Sequence, residues 1–363
     1  MKTVCKKNKC NGCMACISIC PKKCIQIKDT VDAINAVVDE SVCINCKLCE
    51  RVCPNISHVN KNKLIEWKQG WSITNIRNLS TSGGIASEVI YKFILSGGYV
   101  ASCFFKDGEF LFDITNNIND AMKFAGSKYV KSNPQGIYEK IKEKLITHKV
   151  LFIGLPCQVA ALNNYIKVKE NLYTIDLICH GTPSNKLLKK YLYELNYDVK
   201  KIRNIKFRDK LDFGLFINNI KINPPRVMDH YICSFLEGVN YTENCYQCEF
   251  ASIDRVSDIT LGDSWGTSYK DQEKNGISLV LVQSEKGREL LQYSDIELLD
   301  VDLKNAIKYN EQLVQPTKLS KKREKFFKLI NNGTSYKKST FIVLPKLVIK
   351  QYLKYVLALF HII

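Results

Sequence analysis

Eight of the sixteen cysteines in this chain stand in two copies of one pattern. Each copy reads C-x2-C-x2-C-x3-C-P, and each cysteine of the second copy follows its counterpart in the first by 33 residues. The two copies are Cys10, Cys13, Cys16 and Cys20, then Cys43, Cys46, Cys49 and Cys53. A constant offset of this kind indicates an internal repeat rather than scattered thiols.

The spacing within each copy predicts two [4Fe–4S] clusters. Three thiolates at two-residue intervals can surround one cube along a tight turn, while the fourth cysteine reaches the other cube. The first cluster is therefore assigned to Cys10, Cys13, Cys16 and Cys53, and the second to Cys43, Cys46, Cys49 and Cys20. The proline after each fourth cysteine has no N–H and ends a short helix there.

Zinc and disulfides are the alternative roles for these cysteines. Zinc sites usually pair C-x2-C knuckles across a long spacer, whereas here four cysteines form one run. Disulfides belong to oxidising compartments, and residues 1–9 do not have the pattern of a secretory signal. We therefore expect reduced, cluster-binding thiols in a cytoplasmic protein.

The charge balance does not require a nucleic-acid partner. The chain has 363 residues, 45% of them hydrophobic, and a formal net charge of +17. Its lysines and arginines are dispersed, without basic arms or interleaved aromatic residues for base stacking. Bound clusters with four thiolates carry negative charge and neutralise part of the excess.

The chain divides into an N-terminal cluster module and a larger α/β region, an α+β class overall. Residues 1–60 form the two-cluster module, 61–79 a connector, 80–300 the α/β domain and 301–363 a helical C-terminal region. Strands are predicted at 98–105, 110–114, 149–154, 172–178, 205–207, 215–222, 258–261 and 277–282, and helices at 158–166, 186–195 and 285–292.

Residues 346–363 predict a basic amphipathic helix. Lys346, Lys350 and Lys354 recur every fourth residue, and apolar side chains fill most of the other positions. No stretch is long enough to span a membrane. We prefer a terminal helix packed on the core, with a peripheral anchor on the inner face of an anionic membrane as the alternative.

A second group of cysteines follows the predicted strands. Cys157 lies in a strand-to-helix turn that presents backbone N–H groups to an anion, and Cys179 stands in a similar turn one unit later. Cys245 and Cys248 form a C-x2-C metal knuckle. These four cysteines together would complete a third [4Fe–4S] site. We interpret the others as core residues: Cys5, Cys24, Cys103 and Cys233.

The larger region resembles the coenzyme F420 hydrogenase/dehydrogenase beta-subunit family over roughly residues 70–290. The motifs that carry the resemblance are SGG at 82–84, GSKYVKS at 126–132, GLPCQVAAL at 154–162, DLICHGTPS at 176–184, FRDK at 207–210, CYQC at 245–248 and RVSDITLGDSWG at 255–266. A two-cluster ferredoxin repeat is usual in one bacterial branch of the family, which often accompanies surface-polysaccharide genes.

This resemblance implies an iron–sulfur flavoprotein. FAD is expected in a cleft beside a [4Fe–4S] cluster, which Cys157, Cys179, Cys245 and Cys248 would hold. The residues that would line the FAD site are Ser82, Gly83, Gly84, Gly126, Ser127, Lys128 and Tyr129. Relatives usually carry an arginine just before the C-x2-C pair, where this chain has residues 241–244 (YTEN), so the substrate here can differ.

Several single residues are further candidates. His180 follows Cys179 and either donates a proton to substrate or hydrogen-bonds its own turn. The strand-end residues Arg208, Lys210 and Arg255 either bind the cofactor or form salt bridges. Asp258 and Asp263 either cap turns or contact ribose, and turn capping is the preferred interpretation.

Three functions stay open at this point. The first is an oxidoreductase that passes electrons between the ferredoxin clusters and FAD, with hydride transfer to or from a deazaflavin-like coenzyme or a polysaccharide-pathway intermediate. The second is a non-catalytic electron-transfer subunit that serves a redox partner. The third is a membrane-surface partner of a glycan assembly complex. The direction of electron flow is also open.

Overall fold

The computed structural model describes residues 2–360. Its N-terminal module contains two short helices, α1 (Ala15–Ile19) and α2 (Leu48–Val52), which pack against each other. An antiparallel pair of strands, β1 (Ile25–Asp29) and β2 (Ile34–Val38), stands between them in the chain. The cysteines and small apolar residues of the module form a hydrophobic cluster of their own.

The cysteine repeat is also a repeat of backbone conformation. Met14 and Lys47, which precede the two helices, are both left-handed, with φ of 60° and 59°. Cys20 and Cys53 end the helices in the same extended conformation, with φ of −73° and −74°. The two copies of the motif therefore fold alike, as the constant offset predicts.

An eight-stranded mixed sheet forms the centre of the larger domain. Its strands are β3 (Glu66–Ser72), β4 (Tyr99–Lys106), β5 (Glu109–Thr115), β6 (Val150–Gly154), β7 (Leu172–Leu177), β11 (Ile259–Asp263), β12 (Ser278–Val282) and β13 (Ile296–Leu299), in the spatial order β13-β3-β12-β11-β7-β6-β4-β5. The four central strands, β11, β7, β6 and β4, are parallel, and the outer ones are antiparallel. The uninterrupted apolar run of β6 suits a strand that is covered on both faces.

A smaller antiparallel sheet and the C-terminal helices share a second core. Its strands are β8 (Ile205–Asp209), β9 (Asp212–Ile217) and β10 (Ile220–Lys221). They pack with side chains of several helices around buried aromatic residues such as Phe207, Tyr231 and Tyr336. The predicted hairpin forms between β8 and β9, with a shift of register between Lys206 and Arg208. The strand predicted at 215–222 is not continuous, because a turn at residues 218–219 separates β9 from β10.

The remaining helices surround the sheets. They are α3 (Ile76–Leu79), α4 (Ile85–Leu95), α5 (Ile118–Ala121), α6 (Ile137–Lys144), α7 (Pro156–Tyr165), α8 (Asn185–Glu194), α9 (His230–Leu236), α10 (Lys270–Glu273), α11 (Glu285–Gln292), α12 (Leu303–Tyr309), α13 (Lys321–Asn331), α14 (Tyr336–Val343) and α15 (Pro345–Leu359). Residues 361–363, the end of the predicted tail helix, lie outside the described part of the chain. Between residues 2 and 360, no helix has the length and apolar character needed to cross a membrane.

The predicted connector also differs from the structure. Residues 61–79, expected as a connector, contain β3, which lies between β12 and β13 in the large sheet. Polar Gln69 is only 2% exposed there. Its burial is tolerated because its amide oxygen accepts hydrogen bonds from Ser264 and Thr267 and its amide nitrogen donates to the carbonyl of Asp300. The α/β domain therefore begins before residue 80.

Candidate functional site

A cleft of about 560 Å³ opens at the carboxyl ends of the parallel strands. Leu155 follows β6, residues 178–182 follow β7, and Asp263 ends β11; all of them line the cleft. Phe213 of the small sheet and Phe235 of α9 also line it. Ligands of open α/β sheets bind at this edge, so the position agrees with a cofactor site.

The predicted FAD-binding loops meet in this cleft. Of the predicted set, Ser82, Gly84, Gly126, Ser127, Lys128 and Tyr129 line it. Gly126 has a φ of +88°, and a Cβ at this position would approach only a methyl carbon of Thr81, at 3.9 Å. The backbone of Gly126 therefore faces open space in which a ligand fits.

Gly83 has a different role from the one predicted. It does not line the cleft. A Cβ on Gly83 would lie 2.5 Å from the carbonyl oxygen of Gly70 in β3 and 2.7 Å from the backbone nitrogen of Ser278 in β12. Glycine here lets the start of α4 pack directly on the sheet and so positions Ser82 and Gly84 at the cleft.

Lys128 brings a positive charge to the cleft wall. Its ammonium donates to the carbonyl oxygens of Phe124 and Ala125, at 2.5 and 2.9 Å. Burial lowers the pKa of Lys128 from 10.5 to about 8. The ammonium has three donors, so one remains for an anionic ligand.

Arg208 reaches the cleft as part of a buried ion pair. Its guanidinium donates to the Asp263 carboxylate at 2.7 Å, and only 3% of the side chain is exposed. Burial opposes the charge, yet Asp263 and Tyr129 raise the pKa of Arg208 overall. The Nε atom has no hydrogen-bond partner within the described chain. Asp263 is therefore an ion-pair partner rather than the turn cap that was expected.

His180 lines the same cleft, next to Cys179. The residue is exposed to solvent at the cleft. Desolvation is the largest cause that lowers the pKa of His180 below its usual 6.5, and the charge of Arg208 acts in the same direction while that of Asp263 opposes it. The backbone carbonyl of His180 accepts a hydrogen bond of 2.7 Å from the hydroxyl of Thr317. The turn is thus fixed through its backbone, which leaves the imidazole available to a ligand.

Two predicted cofactor residues lie outside the cleft. The ammonium of Lys210 donates to the carbonyl oxygens of Arg77 and Ser82, at 2.5 and 3.1 Å, so it supports the Ser82 loop from behind. Arg255 is 2% exposed and pairs with the fully buried carboxylate of Asp176 at 3.2 Å. Arg255 was predicted as a cofactor-binding residue because of its position at a strand end. Its positive charge is instead paired with a buried carboxylate.

The four cysteines of the expected third cluster come together beneath the cleft. They are close enough that ionisation of Cys179 or Cys248 would raise the pKa of Cys157, and ionisation of Cys245 would raise the pKa of Cys179 and of Cys248. Burial is the largest cause that raises the pKa of Cys157, Cys179 and Cys248. Cys245 accepts a hydrogen bond from the backbone N–H of Thr182 at 3.4 Å. Because Cys179 also lines the cleft, this set borders the candidate cofactor site.

The N-terminal module contacts the third cysteine set directly. Cys13 is buried in the same hydrophobic cluster against which Cys157 and Cys248 pack. The buried hydroxyl of Tyr138 on α6 donates to the carbonyl of Cys13 at 2.7 Å. The second set of the repeat lies on the outside, since Cys46 is exposed and Cys43 and Cys49 are half-buried. The cysteine sets thus extend from the surface to the cleft.

Equivalent cysteines in the two copies of the repeat accept equivalent backbone hydrogen bonds. The backbone N–H of Gly12 donates to Cys10, and that of Asn45 donates to Cys43, both at 3.4 Å. Within residues 2–360, no three His, Cys, Asp or Glu side chains are grouped as a site for a single metal ion. A four-iron cube holds its thiolates farther apart than one ion does, so the cluster assignment rests on the motif and on these paired loops.

Lys131 is a residue that the sequence reasoning missed. Its positive charge acts on Cys10 of the first set and on Cys157 and Cys179 of the third. It stands within the GSKYVKS motif, two residues after Tyr129. The only sequence signal for this role was the presence of a second lysine in the predicted cofactor motif. The role itself could not be predicted, because the lysine contacts a segment over 100 residues away in the sequence.

Two family matches cover different parts of the chain. Residues 147–302 match the family that describes the C-terminal part of the beta subunit in coenzyme F420 hydrogenases and dehydrogenases. Residues 9–56 match the 4Fe-4S dicluster domain. The N-terminal module is therefore an iron–sulfur module, as the cysteine spacing predicted.

Individual relatives agree with the family matches. The chain is 22% identical over 292 residues to an F(420)H(2) dehydrogenase subunit of Methanosarcina mazei, which covers 72% of this chain and 78% of that protein. It is 21% identical over 202 residues to an uncharacterized protein of Methanocaldococcus jannaschii, with 46% of this chain and 55% of that protein covered.

A solved structure has a similar fold. The F420-reducing [NiFe] hydrogenase complex from Methanosarcina barkeri contains a chain that matches with a TM-score of 0.50 and 17% identity. The match covers 69% of this chain and 90% of that chain. At this level of identity, the likeness is one of fold.

Proposed function

We propose that this chain, which matches the coenzyme F420 hydrogenase/dehydrogenase beta-subunit family over residues 147–302 and the 4Fe-4S dicluster domain over residues 9–56, is an iron–sulfur flavoprotein oxidoreductase. It passes electrons between its clusters and FAD, with hydride transfer to or from an organic substrate. The substrate class is a deazaflavin-like coenzyme or a polysaccharide-pathway intermediate. The observation that carries the proposal is the cleft in which the predicted FAD loops and Cys179 meet.

The cleft residues fit a dinucleotide with a negatively charged pyrophosphate. The first turn of α4, an eleven-residue helix, directs backbone N–H groups to the cleft beside Ser82 and Gly84. Lys128 supplies a cation with a free donor, and Gly126 leaves room for close approach. When bound, FAD supplies the chemistry of exchanging single electrons with iron–sulfur clusters and paired electrons with an organic substrate.

The protein's own part is to order its cysteines and shield the cleft. The outer set is accessible at Cys46, where a redox partner can approach. Cys13 and Cys157 share one core cluster, so the inner N-terminal set adjoins the third set. We assign a third [4Fe–4S] cluster to that set, because its four partly buried thiols lie beside the cleft and a bound cluster would hold them as thiolates although burial favours the neutral thiol at Cys157, Cys179 and Cys248.

Anaerobic purification with iron, sulfide and flavin quantification tests the proposal. About twelve irons and one FAD per chain are expected. Cys179→Ser should reduce the iron to about eight, while Cys103→Ser, a cysteine outside the three sets, should leave it unchanged. About eight irons with FAD in the unmodified chain would remove the third cluster and leave the rest of the proposal standing.

The alternative is a non-catalytic electron-transfer subunit. It is favoured by the nature of the relatives, of which one is part of a dehydrogenase and the other part of a hydrogenase complex. Irons without flavin in the purified chain would support this alternative and contradict the oxidoreductase. FAD together with turnover of a hydride acceptor would exclude it.

A further inference from the structure

The last helix of the described chain leaves the body of the protein. At its start, α15 packs through Val348 and Gln351, and the amide oxygen of Gln351 accepts a hydrogen bond of 3.0 Å from the backbone N–H of Met228. After Gln351, none of the residues 352–360 is buried. About two turns of helix therefore continue without a covering surface.

The uncovered part carries a continuous apolar stripe. Ile349, Leu353, Val356 and Phe360 recur at the spacing of one helix face, with exposed fractions of 48%, 61%, 48% and 71%. Tyr352 and Leu359, also exposed at 54% and 59%, lie beside it. Exposed apolar residues are normally scattered singly, so a stripe of four with two further apolar residues beside it marks an interaction surface.

A second stripe of the same helix is basic. Lys346, Lys350 and Lys354 follow one another at four-residue intervals, and α15 contains no acidic residue. The surrounding region has the same character: residues 318–360 contain eleven lysines and arginines and one acidic residue, Glu324. A partner for this surface must therefore be negatively charged and must accept apolar side chains beside the charge.

We propose that α15 binds the surface of an anionic lipid bilayer, with its apolar stripe in the interface and its lysines at the headgroups. Apolar and aromatic residues on one face with lysines on the other are the features of interfacial helices. Anionic lipids attract each basic residue near the surface. Fifteen residues span about 22 Å, too short to cross the bilayer, so the helix lies on the membrane rather than through it.

The charges argue against a second copy of the chain as the occupant. Pairing two α15 helices along the apolar stripe would bring the adjoining lysine stripes together, with no acidic residue in the helix to compensate. The whole chain also has a formal net charge of +17, which opposes self-association. An anionic membrane surface can bury the apolar stripe in its interface and bind the lysine stripe through its headgroups.

Vesicle co-sedimentation of the full chain tests this proposal. Binding is expected to vesicles of phosphatidylcholine with phosphatidylglycerol, and little or none to phosphatidylcholine alone. The double change Leu353→Glu with Val356→Glu should weaken binding about tenfold or more. Val168→Glu, the same chemical change at a 75% exposed position elsewhere, should have no effect. Lys350→Gln with Lys354→Gln should weaken binding about fivefold per lysine and reduce its sensitivity to salt.

Iron content and circular dichroism show that each variant is folded. Failure to bind either vesicle, or equal binding to both, would overturn the proposal. A concentration-dependent dimer in light scattering that Leu353→Glu abolishes would instead assign the stripe to a second copy. None of these results depends on flavin or turnover, so the membrane proposal and the oxidoreductase proposal fail separately.

Discussion

The ammonium of Lys131 donates a hydrogen bond of 3.1 Å to the backbone carbonyl of Asn11. Asn11 lies between Cys10 and Cys13 of the iron–sulfur module, whereas Lys131 belongs to a loop of the larger domain. The backbone N–H of Lys131 also donates to the carbonyl of Pro183, at 2.8 Å, just after the segment that lines the cleft. This lysine therefore joins the inner cluster loop to the wall of the cleft.

Replacement of Lys131 should change the reduction potentials of two clusters. A cation near a cluster stabilises its reduced, more negative form, so Lys131→Gln should lower the potentials of the first cluster and of the proposed third cluster by roughly tens of millivolts. Anaerobic redox titration followed by electron paramagnetic resonance measures them. Lys131→Arg should restore most of the shift. Lys140→Gln, at an exposed lysine paired with Asp113, is the matched control and should leave the potentials unchanged.

Gly126→Ala should lower the flavin content. The substitution puts a methyl group into open cleft space and strains a left-handed backbone, at a cost of about 1 kcal/mol. Gly136→Ala is the control, because Gly136 has a similar φ of +82°, has nothing within 4 Å of its Cβ position, and lies outside the cleft. Both variants should lose similar stability, and only Gly126→Ala should lose flavin. Equal flavin content in the two would contradict the assignment of the cleft.

The sequence predicted the central strands of the sheet because a buried strand can have a continuous apolar run, as in β6. It missed β3, whose sequence EWKQGWS contains a lysine, a glutamine and a glycine. That strand is stabilised by partners distant in sequence, such as Ser264 and Asp300 for Gln69. The cysteine sets were predictable from local spacing, whereas the junction made by Lys131 depends on how two domains pack.

The role of Arg255 also depends on a partner distant in sequence, so it could not be predicted from local spacing. Replacement of Arg255 should affect the stability of the protein rather than cofactor binding. Arg255→Met leaves the buried Asp176 carboxylate without its cation, which costs about 3–5 kcal/mol. Thermal unfolding of the full chain should occur about 10 °C lower or more. Arg288→Met breaks an exposed pair with Glu285 and should change the unfolding temperature little. If Arg255→Met had normal stability but lost flavin, the result would contradict the structural role and would support cofactor binding by Arg255.

The pKa of Lys128 predicts how flavin affinity depends on pH. In the free protein, burial lowers that pKa from 10.5 to about 8, so the ammonium is charged below pH 8 and neutral above it. A bound pyrophosphate favours the charged form and raises the pKa. Flavin affinity should therefore be constant below pH 8 and fall as pH rises through 8, by up to about tenfold per unit, until the pH exceeds the pKa of the complex.

The effect of Lys128 on folding has the opposite sign. Because the folded pKa lies below the unfolded one, this group destabilises the flavin-free fold at low pH, and the penalty disappears as pH rises from about 8 to 10.5. Lys128→Gln should remove both trends: flavin affinity measured by fluorescence would be weaker and independent of pH over this range, and the apoprotein would be no less stable. An unchanged pH profile in Lys128→Gln would show that another group titrates, and would separate this lysine from the cofactor.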